Sequence, residues 1–438
     1  MLPDLSVPPS LARLLAGLRP CFTAPSFATF CALVCGMLAQ TGRRTVCGML
    51  VGAGLSGSWS HHRAHKFFST ARWSPERLSV LLARLVAQPL LPADAAVSVV
   101  IDDTLFTRAG KKVWAAGWFH DGSAKGPKQV GYGNNWVIAG ILVNLPMLTR
   151  PVCLPVAARL VRKNTVSGSR LWLAQKMVTT LAEALPGRRI HVVADAAYAG
   201  AELRKLPGQV SWTTRLRKDA ALYELAPPRT GRRGRPRKRG KKLPKLADLA
   251  RTATFAPTTV HRYGTDRTVY TATISCLWYS VFGPQPVTVV LLRESETSRS
   301  YDLALITTQA HATADQVVER YASRWAIEVA IEDAKQLAGV GQAHNRKALA
   351  VERTVPFGLV CLTLAVCWYA TAGHQPEDVT EHRARRPWYR TKSTPSTADM
   401  LAKLRRVLIA ARFRLARPEQ PTLAELQTIR LAWEDPAA

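Results

Sequence analysis

Two stretches of this sequence run apolar and β-branched and then stop on an acid. Residues 95–101 (Ala-Ala-Val-Ser-Val-Val-Ile) end in Asp102-Asp103-Thr104. Residues 189–194 (Arg-Ile-His-Val-Val-Ala) end in Asp195 and turn at Ala196-Ala197-Tyr198-Ala199-Gly200. A short, nearly continuous apolar run is the pattern of a strand buried on both faces, which needs helices packed over the sheet. Successive strand residues point to opposite faces, so only one of Asp102 and Asp103 can look toward a given side. Each aspartate alone also fits a strand end or a helix cap. Together the two runs predict an α/β layer structure that delivers carboxylates to the carboxyl edge of its sheet.

A third acid stands on a predicted helix. From Thr313 no proline or glycine intervenes until Gly339, so about 24 residues can form one helix, and Thr313-Ala-Asp-Gln316 has the form of a capping box. At 100° per residue, Tyr321, Arg324, Glu328 and Lys335 share an arc of about 60° on that helix. A carboxylate flanked by groups that bind phosphate suits metal-dependent chemistry on a nucleic-acid backbone. The alternative is a solvated face carrying ion pairs such as Arg324 with Glu328 and Glu332 with Lys335.

These residues resemble the DDE transposases of bacterial insertion sequences, in the branch whose third acid lies in a Y-x2-R-x3-E-x6-K signature. Tyr321, Arg324, Glu328 and Lys335 fill it without a gap, and Trp325 supplies the aromatic that often follows the arginine. The resemblance implies an α/β fold of RNase H-like type: a mixed sheet with flanking helices, a β-rich insertion and an N-terminal all-α domain. It implies Asp102, Asp195 and Glu328 as catalytic residues and as ligands of two Mg2+ ions about 4 Å apart, with Mn2+ able to substitute. The D-x-[ST] form favours Asp102, with Asp103 as its alternative, and D-x-x-Y matches Asp195 and Tyr198. Ala196 departs from the residue often found after that aspartate. The implied activity is hydrolysis at element ends, freeing a 3′-OH, then attack of that hydroxyl on target DNA. Arg324 and Lys335 would clamp phosphates, Tyr321 would bond one, and Trp325 would stack on a displaced base. Partners would be double-stranded DNA at terminal inverted repeats and targets, met by a homodimer. Two rivals are a nuclease of this fold that never joins strands and a non-catalytic DNA-binding derivative of a transposase.

Composition agrees with a polyanion partner. Sixty Lys and Arg oppose 30 acidic residues in 438, a net charge of +30, while 47% hydrophobic residues require a substantial core. Such an excess predicts strong, salt-sensitive attraction to DNA. Residues 229–245 hold ten basic and no acidic side chains, with Gly234-Arg235-Pro236-Arg237 at the centre. That core resembles an AT-hook, which would lay Arg235 and Arg237 in a minor groove, and a flexible phosphate-binding loop is the plainer alternative. Most of the eight cysteines lie in apolar runs, as free thiols in a reducing cytoplasm would, and no signal peptide is visible. Residues 355–373 carry no charge, yet their position after the signature helix predicts a buried core helix rather than a membrane span.

Five zones result. Residues 1–93 predict short helices near 28–40, 43–51, 58–68 and 75–87, with 60–66 as a DNA-facing segment. Residues 94–206 form the first part of the catalytic core, with strands near 136–143 and 152–156 and a helix over 167–185. Residues 207–304 are the β-rich insertion with its basic loop. Residues 305–373 complete the core, and 374–438 hold a linker and a basic helix near 398–416. The expected location is a bacterial cytoplasm, with the nucleoid.

Overall fold

The computed structural model describes residues 7–122, 124, 127–228, 236–413 and 423. Five helices open the chain: α1 (Pro9–Ala16), α2 (Ala24–Ala39), α3 (Val46–Gly52), α4 (His61–Ser69) and α5 (Pro75–Leu90). Thr45, Ser60 and Ser74 cap α3, α4 and α5, each accepting a backbone N–H of the first turn. The first strands follow as β1 (Val97–Thr107), β2 (Gly117–His120), β3 (Val130–Val143) and β4 (Val152–Leu160). Then come α6 (Arg170–Ala184), β5 (Ile190–Ala194) and β6 (Val210–Arg215).

The apolar runs form the centre of the sheet, as their composition demands. β1 pairs antiparallel with β3 and parallel with β5, β5 pairs parallel with β6, and β4 pairs with β3. The order β4-β3-β1-β5-β6 is that of an RNase H-like sheet: an antiparallel meander of three strands, then two parallel ones fed by a helical crossover.

The next segment is β-rich as expected, but it extends the same sheet. After α7 (Leu246–Thr252) come β7 (Ala256–Arg262), β8 (Thr265–Cys276), the single turn α8 (Tyr279–Phe282), β9 (Val287–Arg293) and β10 (Leu303–Thr307). β10 pairs antiparallel with β6, and β9, β8 and β7 follow outward, so ten strands form one sheet. β6 itself falls in the stretch assigned to the insertion, yet it is the fifth strand of the central sheet.

The signature segment is two helices, α9 (Ala314–Ala322) and α10 (Trp325–Gln336), rather than one of about 24 residues. Between them the N–H groups of Arg324, Ala326 and Ile327 each bond a carbonyl three residues back, tightening the turn, while Ser323 Oγ donates to the Glu319 and Arg320 carbonyls. Hydroxyl bonds of this type bend helices. The expected capping box is also absent, since the Thr313 side chain makes no cap bond. The apolar stripe of α9 covers the outer strands, where Val317 and Val318 pack with Val260, Val269, Val290, Leu292 and Leu305.

α11 (Ala348–Trp368), continued by a π turn to Gly373, is long and apolar enough to cross a membrane, and 83% of its most apolar window is buried in this fold. The N-terminal helices pack on it. Phe357 meets Phe30, Phe67 and Phe68 edge-on at 5.2–6.0 Å, and the Arg353 guanidinium donates to the Phe68 and Trp73 carbonyls. The stretch expected to be a linker holds a helix, α12 (Asp378–Arg385), before α13 (Thr397–Phe413), which returns to α2 and α11.

Candidate active site

Strand alternation separates Asp102 from Asp103. Asp102 and Thr104 face α10, where Arg324 Nη1 donates to Asp102 Oδ2 at 3.1 Å and Lys335 Nζ to Thr104 Oγ1 at 2.7 Å. Lys335 also lies 5.4 Å from the centre of the Phe106 ring, two residues further along that face. Asp103 points the other way. It receives Arg170 Nε from the start of α6 at 3.1 Å, the Tyr198 hydroxyl at 3.0 Å and Asn135 Nδ2 at 3.0 Å. With three donors Asp103 is fully engaged in structure, which leaves Asp102 as the acid of this pair that faces the signature helices.

Asp195 reaches the same place through register. Ile101 is paired with Ala194 across two parallel strands, so Asp195, just past the end of β5, lies beside Asp102, which stands midway along β1 and not at its expected carboxyl end. Asp195 is half-buried. Its charge also acts on Tyr321, whose phenol is pushed above its usual value first by burial and then by Asp195, with Arg324 and Arg215 opposing.

Glu328 completes the group through Arg324. The guanidinium donates Nη2 to Glu328 Oε1 at 2.6 Å while Nη1 holds Asp102, so one arginine links acids 226 positions apart in the chain. The local ion pair expected of a solvated face is therefore present, but it is turned into the sheet. The other pair considered, Glu332 with Lys335, does not form: Glu332 accepts from Gln336 instead. Asp102 is pushed up to about 6, chiefly by burial, with the charges of Asp103 and Glu328 adding and the Asp103 N–H and Arg324 opposing. Burial likewise lowers the Lys335 ammonium.

Half-buried acids on two adjacent strands, one midway along β1 and one just past β5, a helix carboxylate beside them, and two cations facing them fit metal-assisted cutting of a phosphodiester. A comparison of sequences decides the family. The profile of the DDE superfamily endonucleases matches residues 17–276, more than half of the chain. The chain belongs to this family.

The matched span includes Asp102 and Asp195 and stops before Glu328. Among solved structures, this DDE-family chain is similar to a piggyBac transposase in a synaptic complex with hairpin DNA. The identity is 12% and the TM-score 0.42, over 96% of this chain and 80% of that one. No curated protein matches.

The oxygen donors of Asp102, Asp195 and Glu328 are the hard ligands that Mg2+ takes, so the donor set fits that ion. Among the described residues, however, no group of three His, Cys, Asp or Glu side chains is drawn together closely enough to hold a metal ion, and Arg324 stands between two of these acids. Trp325 is 53% exposed at the start of α10, whereas Tyr321 is half-buried. Arg237 lies exposed in its loop, and Arg235 is outside the described residues.

Several residues of the site were not singled out from sequence. Arg170 and Asn135 hold Asp103 from distant elements, and no spacing marks them. Arg108 is another: its guanidinium donates to Asn134 and to the Gly341 and Ala343 carbonyls, joining the end of β1 to the loop after α10. Gly341 is the residue that permits this, since at φ +95° an added Cβ would lie 2.4 Å from the Phe106 ring.

Proposed function

We propose that this chain is a transposase of the Y-R-E-K branch, from a bacterial insertion sequence. It would cut DNA at the element's ends and transfer the freed 3′-OH to target DNA. The observation that carries the proposal is the linkage of Asp102 to Glu328 through Arg324, with Asp195 in register beside Asp102. Family membership supplies the endonuclease chemistry.

Asp102, Asp195 and Glu328 would hold Mg2+, which supplies positive charge to the reacting phosphate when bound. The rest falls to the chain's own groups. Arg324 and Lys335 would bind phosphate oxygens on either side of the scissile bond, Arg324 exchanging its carboxylate partners for the phosphate fork-on. Tyr321, kept protonated by burial and by Asp195, would donate its hydroxyl to a third phosphate oxygen. Trp325, exposed next to Arg324, would stack on a base drawn out of the duplex. The Asp103 cluster of Arg170, Tyr198 and Asn135 fixes the middle of β1 and so positions Asp102. Two ends must be joined at once, so the working form would be a homodimer on DNA in the bacterial nucleoid.

The test is a joining assay. Purified protein with Mg2+ is given an intact duplex carrying the inverted repeats that flank its gene, to read cutting, and a precleaved one with a supercoiled plasmid, to read joining. Joined product is expected, and Glu328→Ala should reduce cutting and joining to background while keeping end binding. Cutting without joining would favour a nuclease; binding without either step would favour the non-catalytic derivative.

A further inference from the structure

The end of α12 and the segment between α12 and α13 are built to display a basic, aromatic tip. Residues 381–392 hold four arginines and a lysine against one glutamate. Both flanks of the segment are fastened to one carboxylate, Asp399 in the first turn of α13. His382 Nδ1 lies 2.9 Å from Asp399 Oδ1, Lys392 Nζ 2.6 Å from Oδ2, and the Ser396 N–H and hydroxyl donate to Oδ2 at 2.7 Å. Within the loop, the Tyr389 N–H bonds the Arg386 carbonyl and the Lys392 N–H bonds the Tyr389 carbonyl, making two successive turns. The tip is thus a shaped element.

What the tip presents is unusual for a surface. Trp388 is 69% exposed, the most exposed of the described tryptophans, and Tyr389 is 42% exposed, its ring 6.2 Å from that of Trp388 and 5.9 Å from that of His382. Arg383, Arg385 and Arg390 are exposed around them, Arg385 with an ion pair to Glu381 one turn back. An apolar partner would have to leave these guanidinium groups facing it, whereas a polyanion with π faces satisfies both features at once.

We propose that residues 383–390, the end of α12 and the turns after it, are a second DNA-binding surface in which Arg383, Arg385 and Arg390 take backbone phosphates and Trp388 stacks on an unpaired base. The proposal rests on DNA being the partner of this chain, and it adds a place and a mode of contact. Asp399 acts as the positioning residue: it touches no DNA but holds the loop in its displayed form.

The experiment measures binding of the full chain to fluorescently labelled 30-base single strands and 30-base-pair duplexes over a series of salt concentrations, without Mg2+. Each lost phosphate contact should lower the slope of log affinity against log salt by about 0.9 on duplex. Arg383→Ala/Arg385→Ala/Arg390→Ala together should therefore lower it by roughly two to three. Trp388→Ala should weaken single-strand binding about tenfold with little change in slope. Asp399→Ala removes a negative charge, so net charge alone would tighten binding; release of the loop should instead weaken it. Wild-type affinity and slope in both the arginine and Trp388 variants would overturn the proposal, as would tighter binding by Asp399→Ala. The Trp388 and arginine changes lie on the surface and keep the test decisive should Asp399→Ala fail to fold. A chain that cuts no DNA but loses binding with these variants would retain this surface while removing the enzyme. A wild type that binds no DNA would remove both.

Discussion

At the scale of single residues, Asp102 and Asp103 stand next to each other and should behave oppositely. Asp102 is pushed from 3.8 up to about 6 by burial, so the folded chain keeps its proton to higher pH than the unfolded chain does. Ionising Asp102 is then a destabilising step: the contribution of this group to stability is greatest below about pH 4, falls as pH rises from about 4 to 6, and changes no further above. Asp102→Asn removes that penalty. In chelating buffer at pH 7.5 it should be more stable than the wild type by on the order of 2 kcal/mol in urea titrations, the gain vanishing toward pH 4. The loss of one Arg324 partner works against this, and a variant less stable than wild type at every pH would show that the ion pair outweighs burial. Asp103→Asn has the other sign. It leaves Arg170 without its charge partner and weakens the bond from the buried Tyr198 hydroxyl. It should cost roughly 1–3 kcal/mol, yet retain more cutting than Asp102→Asn in the same assay.

At the scale of elements, close approach of α2 and α3 is the most demanding contact in the helical layer. A Cβ on Gly36 would stand 1.8 Å from the Met49 carbonyl oxygen, and one on Gly52 would stand 2.2 Å from that of Gly36. The obstacle is backbone, which cannot rotate aside. Gly36→Ala should lower stability by about 1–3 kcal/mol in thermal melts, while Gly57→Ala, with nothing within 4 Å of its added methyl, should stay within about 0.5 kcal/mol. Equal melting of both variants would mean that α3 shifts without cost. Elements were also where sequence was most and least legible. The strand starts at 97 and 190 could be read because burial on both faces leaves runs made mostly of Val, Ile and Ala before the acid, whereas the continuation of β1 past Asp102 to Thr107 could not. Also legible was α11, whose uncharged stretch admits only core or membrane. The division of the signature segment at Ser323 could not be read, since it depends on a serine hydroxyl bonding its own helix and not on a proline or glycine. Nor could the attachment of β10 to β6: alternation predicts a strand, whereas its neighbour is chosen by edges that only the folded sheet creates. The link from Asp102 through Arg324 to Glu328 was half legible. The helical stripe put Arg324 and Glu328 on one face, but nothing in the spacing says that this face meets β1.

At the scale of the whole molecule, a net charge of +30 is carried on a fold whose candidate site is itself acidic. The two facts imply that binding and chemistry separate. Long-range attraction to DNA comes from the 60 basic side chains, while Asp102, Asp195 and Glu328 repel the phosphate they are proposed to cut. Duplex affinity should accordingly fall steeply with salt, by about a thousandfold or more between 50 and 200 mM if six or more phosphates are neutralised. Asp102→Asn should bind duplex DNA at least as tightly as the wild type in the absence of Mg2+, because it removes negative charge from the phosphate's path and leaves the basic surface intact. Adding Mg2+ should improve wild-type binding more than that of the variant, since only the wild type keeps all three carboxylates for a cation to neutralise. Anisotropy titrations of both proteins, with and without the ion at matched ionic strength, measure this difference directly. Equal responses to Mg2+ would mean that Asp102, Asp195 and Glu328 do not govern how DNA enters the site.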